Sequence, residues 1–276
     1  MQDLIRDAAK DRILIAAHRG ASGGNIPCNS MAAFEAALYQ GADIIELDIT
    51  KSLDGELFVF HPGLEKMHLG IDTPLGQMKA ADIKKLRYRN GDGVATEQTI
   101  STLSEVFEAI GQRCFINLDK FWDNIEEISH TVRKHNMQDR VIAKSFPEEE
   151  CIDMLEKTAP DIPYLPFVWD EDEYTEELLE RDIRLIGIEA HFYKEDSQVA
   201  DPAYIKALQA KNLIVWANAI VFNYRTVESA GFTDDISMSG NPAAGWGQLA
   251  KRGFNIIQTD WVLPMRAYLQ DKGYLK

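Results

Sequence analysis

Ile15-Ala16-Ala17-His18-Arg19-Gly20, then Ile44-Ile45-Glu46-Leu47-Asp48-Ile49, then Asp54-Gly55 and Leu57-Phe58-Val59-Phe60-His61 decide the fold. They read as an apolar strand ending in His-Arg-Gly, a second strand carrying two carboxylates, a turn, and a third strand ending in histidine. Strand ends are where α/β folds keep their chemistry. Glu46 and Asp48 are two apart, so on a strand they share a face, roughly 7 Å apart along the chain. One cation can bridge them. Asp54-Gly55 between apolar runs signals a two-residue hairpin loop. Leu53 then pairs with Glu56, and His61 falls opposite Asp48 on the same face. The stretch is too apolar to be a wholly solvated hairpin, because charged residues are seldom buried without partners.

Outward from this stretch, strand-like and helix-like runs alternate. Strands are predicted at Ile13–Ala17, Ile44–Ile49, Leu57–His61, Cys114–Leu118, Val141–Ser145, Tyr164–Trp169, Leu185–Ala190, Leu213–Ala217 and Asn255–Thr259. Helices are predicted at Ser30–Gln40, Leu103–Ile110, Trp122–His135, Pro147–Lys157, Thr175–Arg181, Pro202–Lys211 and Ala243–Arg252, with a capping box at Thr102-Leu103-Ser104-Glu105. The alternation favours parallel strands joined by crossover helices. The short link from Ile44–Ile49 to Leu57–His61 demands an antiparallel neighbour. Setting that strand aside leaves eight, which predicts a (β/α)8 TIM barrel. An open doubly wound sheet is the alternative, and the missing Gly-rich loop after the first strand disfavours it. Residues 62–101 break the rhythm with several Gly and Pro and one short helical run, Lys79–Leu86. They are expected to form a small insertion over the barrel mouth after the strand ending at His61. Without repeats or linkers, residues 1–276 read as one domain.

The chain has 276 residues, 45% hydrophobic and 26% charged, which is ordinary for a globular protein. Its net charge of −15 argues against nucleic acid as a partner, and an anionic substrate must be held by local cations. The three cysteines, Cys28, Cys114 and Cys151, have neither zinc-site nor disulfide-framework spacing. No window approaches the ~20 apolar residues of a membrane span, and the N-terminus lacks a signal-like apolar core. The expectation is a cytoplasmic protein without stable membrane association. The oligomeric state is not legible.

The same residues carry a family resemblance. His18-Arg19-Gly20-Ala21-Ser22, Pro27-Cys28-Asn29-Ser30, Gly41-Ala42-Asp43-Ile44-Ile45-Glu46-Leu47-Asp48, Asp54-Gly55 and Phe60-His61 resemble the glycerophosphodiester phosphodiesterases. Weaker matches follow in order at Phe115-Ile116-Asn117-Leu118-Asp119-Lys120, Ser145-Phe146, Val215-Trp216-Ala217-Asn218 and Ile257-Gln258-Thr259-Asp260. The insertion has the family's placement. The family usually carries glutamate where this chain has Asp119 and Cys28.

In a barrel, Asp119 ends its strand at the same mouth as His18 and Glu46. Glu46, Asp48 and Asp119 are the candidate metal ligands, and three carboxylates suit one hard cation, Mg²⁺ or Ca²⁺. Arg19 is placed to grip a phosphate with its planar fork, and Lys120 to act as a point charge, provided the chain bends at Lys120. A cation with Arg19 and Lys120 would stabilise the charge that builds on an attacked diester. His18 and His61 are the candidates for proton transfer, one as base and one as acid. Phe146 and Trp216 are candidate walls for glycerol carbons. Lys144 and Glu189 read as further mouth residues without an assigned role. His68, His130, His135 and His191 are assigned none, and Cys28 reads as a packed small hydrophobe.

The resemblance implies metal-dependent hydrolysis of a small-molecule glycerophosphodiester to sn-glycerol 3-phosphate and an alcohol. The alternatives are a phospholipase-D-like lysolipid phosphodiesterase and a non-catalytic barrel that binds phosphate esters.

Overall fold

The computed structural model describes residues 4–221 and 228–275. Among these, β1 (Leu14–Ala17), β2 (Ile44–Lys51), β3 (Leu57–Val59), β4 (Phe115–Asp119), β5 (Val141–Ser145), β6 (Tyr164–Trp169), β7 (Gly187–His191), β8 (Ile214–Asn218) and β9 (Ile256–Thr259) join one sheet. Parallel pairing runs β1-β2-β4-β5-β6-β7-β8-β9. The last strand pairs back on the first, Leu14 beside Ile256 and Ala17 beside Thr259. The sheet therefore closes into an eight-stranded parallel barrel, with β3 antiparallel on β2. Closure excludes the open sheet.

Strand alternation sorts the side chains into two regions. Ile15, Ala17, Ile45, Leu47, Ile116, Leu118, Val215 and Ile257 join the large core that includes buried helix residues such as Phe34 and Leu103. Leu14, Ala16, Ile44, Ile142, Leu165, Ile214, Trp216 and Ile256 form a second core, closed by Ile5 and Ala9 of the helix Leu4–Ala9. Two residues further along several of the same strands stand Glu46, Lys144, Phe167 and Gln258. An apolar floor thus carries a mostly polar layer toward the strands' C-terminal ends, as barrel enzymes require.

The predicted strands appear within two residues of their expected ends. Helix Met31–Gln40 starts on Ser30, whose Oγ accepts from Ala33 N, and stops at Gly41 in the left-handed region, φ 90°. The capping box at Thr102 and Glu105 is present. Among the described residues four helices escape the periodicity reading: Leu4–Ala9, Glu65–His68, Asp234–Met238 and Val262–Asp271. The first three are short, and the fourth buries only Val262, Met265 and Leu269, a sparse stripe.

The hairpin register differs from expectation by one residue. Ile49 pairs with Val59 and Lys51 with Leu57, while Ser52 N bonds Glu56 O. The loop is therefore three residues, Leu53-Asp54-Gly55, not two. Ser52 Oγ accepts from Glu56 N and donates to Asp54 Oδ1, and Gly55 takes the left-handed φ of 92°. A three-residue loop with glycine in that region is the next commonest hairpin solution. Phe60, not His61, then bonds Asp48 across the ladder.

Residues 62–101 contain short helices at Glu65–His68 and Ala80–Ile83, the latter shorter than the predicted run. They build a satellite core of Leu69, Leu75, Ile83, Tyr88 and Ile100 against Phe58 and Phe60 of the hairpin. Tyr88 Oη donates to Asn29 O at 3.2 Å, tying the insertion to the loop after β1.

Candidate active site

At the C-terminal ends of the strands lies a cavity of about 210 Å³. Its lining includes His18, Arg19, Glu46, His61, Asp119 and Lys120. Residues 62–101, which pack on the hairpin and are tied to the loop after β1, are not among these lining residues. A larger open groove of about 640 Å³, lined by Asp54, Glu126 and His130 among others, shares none of these groups.

The carboxylates meet because of strand register. Asp48 of β2 pairs with Asp119 of β4, and Glu46 stands one inward step below Asp48. Ligand atoms of Glu46, Asp48 and Asp119 lie within 4.8 Å of one another. Asp48 is fully buried. Its Oδ2 accepts from Asn29 Nδ2 at 2.8 Å and pairs with Arg19 Nε at 2.9 Å. Its buried Oδ1 accepts no hydrogen bond among the described residues, with His61 Nε2 3.8 Å away. Burial, reinforced by Asp48, pushes the Glu46 carboxyl up to about 7. Hard oxygen donors, a bare buried carboxylate oxygen and crowded negative charge fit a divalent cation, without choosing between Mg²⁺ and Ca²⁺. Bound there, such an ion would stabilise developing phosphoryl charge.

Arg19 and Lys120 both depend on left-handed backbone, φ 55° and 60°. The bend at Lys120 is what lets adjacent Asp119 and Lys120 both line the cavity. Lys120 N bonds Asp119 Oδ1, and its Nζ lies 4.8 Å from the Trp122 ring centroid. Arg19 N donates to Glu46 Oε2 at 2.9 Å, so one residue contacts two carboxylates. Gly20 continues the turn at φ 80°, where a Cβ would lie 2.7 Å from the Ala33 carbonyl carbon. Gly20→Ala is therefore expected to cost at least about 1 kcal/mol in a denaturant titration and to impair activity, because the same turn carries His18 and Arg19.

The two imidazoles are oriented alike. His18 Nδ1 bonds Asp260 Oδ1 at 2.8 Å, and His61 Nδ1 bonds Pro62 O at 2.7 Å. A carboxylate or carbonyl only accepts, so each Nδ1 carries the proton and each Nε2 remains for proton transfer. Burial opposes charge on His18, but Asp260 and Glu46 outweigh it and raise its pKa. Burial lowers that of His61.

Across the cavity stands a group whose role the sequence did not disclose. Lys144 Nζ pairs with Glu189 Oε2 at 3.1 Å, and Asn218 Nδ2 donates to Glu189 Oε1 at 2.7 Å. His191 Nε2 lies 3.3 Å from Glu189 Oε1, and its Nδ1 pairs with Glu228. Lys144 and Glu189 were legible as polar residues on apolar strands; Glu228, outside any strand, gave no signal. The aromatic wall comprises Trp122, Phe146, Phe167 and Trp169. Phe146 lines the cavity. Trp216 does not line the cavity: it is fully buried in the floor, and its Nε1 donates to Asn218 Oδ1. Large size and an inward direction told its face but not its depth. Cys28 sits 3.8 Å from His68 Nε2, and burial pushes its thiol up to about 11, keeping it neutral.

The His191 network makes stability depend on pH. Burial opposes its charge, but Glu189 and Glu228 raise its pKa to about 9. Its contribution is complete below 6.5 and is lost as pH rises toward 9. Burial likewise opposes Glu189 ionisation, but Lys144 foremost lowers its pKa to about 2, so that contribution fades only below 4.5. The melting-temperature difference between the parent and His191→Gln should shrink from pH 6.5 to 9. A constant difference would contradict the linkage.

Residues 18–218 match the glycerophosphoryl diester phosphodiesterase family. The chain belongs to that family. A glycerophosphodiester phosphodiesterase of Caldanaerobacter subterraneus subsp. tengcongensis is 35% identical over 158 residues, 54% of this chain and 64% of the relative. The match thus spans less than two thirds of that relative's length. In fold, the chain is similar to a glycerophosphoryl diester phosphodiesterase of Parabacteroides distasonis. The TM-score is 0.79 at 18% identity, covering 97% of this chain and 92% of that one. It also resembles an Oleispira antarctica phosphodiesterase solved with the product sn-glycerol-3-phosphate. There the TM-score is 0.70 at 20% identity, with 95% and 99% covered.

Proposed function

We propose that this protein hydrolyses glycerophosphodiesters to sn-glycerol 3-phosphate and an alcohol with the help of a divalent cation. The observation that carries the reading is the convergence of Glu46, Asp48 and Asp119, with a bare buried oxygen on Asp48, beside two imidazoles that present Nε2. Arg19 and Lys120 hold the phosphate and offset the charge that grows on attack. Of His18 and His61, one takes a proton from the attacking hydroxyl, that of water or that on the neighbouring glycerol carbon; in the second case a cyclic phosphate forms as the alcohol leaves, and water then opens it to sn-glycerol 3-phosphate. The other gives a proton to the departing alkoxide. Asp260 keeps His18 in the required tautomer. The Oleispira antarctica protein, with its bound product, supports the substrate class. Among the described residues no helix is long and apolar enough to cross a membrane.

The test is a substrate panel of glycerophosphocholine, glycerophosphoethanolamine, glycerophosphoglycerol, glycerophosphoinositol and a lysophospholipid. Each is assayed with Mg²⁺, Ca²⁺ or chelator. Release of sn-glycerol 3-phosphate that stops with chelator is the expected result. Turnover confined to the lysophospholipid would replace this reading with the lysolipid one. Phosphate-ester binding without turnover under any metal condition would leave a binding barrel.

A further inference from the structure

The mouth divides into two halves. β1, β2 and β4 carry the acidic trio, His18 and the phosphate cations; β5 to β8 carry Lys144, Glu189, His191, Asn218 and the aromatic rings. The second half is not needed to close a barrel, where apolar residues would fill the same inward positions. Lys144, Glu189 and Asn218 are each 2% exposed, and His191 is 6% exposed. Burying so much charge is costly unless every group is met.

The charges match one to one. Lys144 stands against Glu189 and His191 against Glu228. Glu189 accepts a hydrogen bond from Asn218 on Oε1 and stands within ion-pair distance of Lys144 and His191. Among the described residues, each of these two carboxylates already stands against a cation of the protein. Donors and acceptors do remain: an ammonium has three protons, and among the described residues Glu189 Oε2, both His191 ring nitrogens and, on the adjoining β9, Gln258 Oε1 make no hydrogen bond. Above them Trp169 stacks on His191 with centroids 4.3 Å apart, and Phe167 lies 5.1 Å from Phe146. Flat rings over fixed, neutralised hydrogen-bonding groups suit a molecule with C–H faces and hydroxyl edges. The adjoining groove bears Glu148, Glu171 and Glu173, but solvent screens charges on such an open rim.

We infer that the β5–β8 half is a hydroxyl-recognition subsite that takes an uncharged polyol as the departing arm of the diester and disfavours quaternary-ammonium arms. The inference rests on the diesterase reading with the glycerol hydroxyl as attacker, in which glycerol lies beside the acidic trio and this half is left to the other alcohol. Lys144 and Glu189 act as specificity-determining residues, and Trp169 as the platform.

Two measurements test it. In the first, kcat/KM is compared for glycerophosphoinositol and glycerophosphocholine, with bis(p-nitrophenyl) phosphate as a diester lacking both arms. The inositol diester should be preferred by about tenfold or more, the worth of one or two hydrogen bonds. Lys144→Met should erase most of that preference through KM. The double variant Lys144→Met/Glu189→Gln removes the pair together, leaves no buried charge unmatched at that contact, and should erase it too. In the second, tryptophan fluorescence is titrated with free myo-inositol and with choline. Inositol should perturb the signal at millimolar concentrations and choline should not, whether or not turnover occurs. Equal or better use of the choline diester, an equal loss on both substrates in the folded variants, or choline perturbing the signal as inositol does would overturn the inference. Inertness toward all three diesters would instead defeat the diesterase reading, and the titration would still decide the subsite.

Discussion

His61→Ala and His18→Ala are each expected to lower kcat by about 10²–10⁴-fold, the range for loss of a positioned proton-transfer group. The geometry makes this a clean experiment. Both rings are held through Nδ1, so truncation removes the Nε2 proposed for proton transfer without breaking a strand pairing. Neither ring joins the hydrophobic cores, and each variant should melt near the parent. The double variant should lose little more than the worse single one, because acid and base act in one transition state and their losses do not add. Asp260→Asn should give a smaller loss, since it weakens the hold on His18 and leaves the imidazole in place. If both alanine variants fold and cleave at the parental rate, the proton-transfer assignment is wrong.

The arrangement that makes this testable was legible largely because period-two patterning is simple. Ile44, Glu46 and Asp48 alternate with Ile45, Leu47 and Ile49, and only one assignment of faces puts the carboxylates on the inside of a barrel. Asp119 followed from sharing a strand end with them. The hairpin register was not legible, because the choice between two and three loop residues rests on Ser52 Oγ capping Glu56 N, a local bond with no periodic signal. His61 Nε2 still comes within 3.8 Å of Asp48 Oδ1, although Phe60 is the residue whose backbone bonds Asp48. Trp216 marks another limit: alternation says that Trp216 and Asn218 point inward, but not which belongs to the floor. The Lys144–Glu189–His191–Glu228 network depends on pairings between distant segments. A single sequence shows each member and not the company it keeps.

Glu46→Gln should separate what the acidic trio does for chemistry from what it costs the fold. With chelator present, the Glu46 carboxyl has a pKa of about 7 against 4.5 for a free one, chiefly from burial and then from Asp48. A carboxyl raised on folding opposes folding in its charged form. That penalty is absent below pH 4.5, grows as pH rises to about 7, and stays constant above. Glutamine keeps an oxygen for the Arg19 amide and carries no charge, so the chelated variant should melt above the chelated parent at pH 8 and level with it at pH 4. Divalent cation should reverse the order. At a hundredfold excess over its dissociation constant, a ligand bound only by the folded state adds about 2.7 kcal/mol, and the parent should gain that shift while the variant gains little. Activity of the variant should fall by several kcal/mol in barrier terms, about three orders of magnitude. A stabilised, inactive, metal-blind variant is the behaviour of a site that trades stability for function. If instead the variant melts below the chelated parent at pH 8 and still responds to cation as the parent does, then Glu46 is a structural ion-pair partner of the β1 turn and the ion, if bound, is held without it.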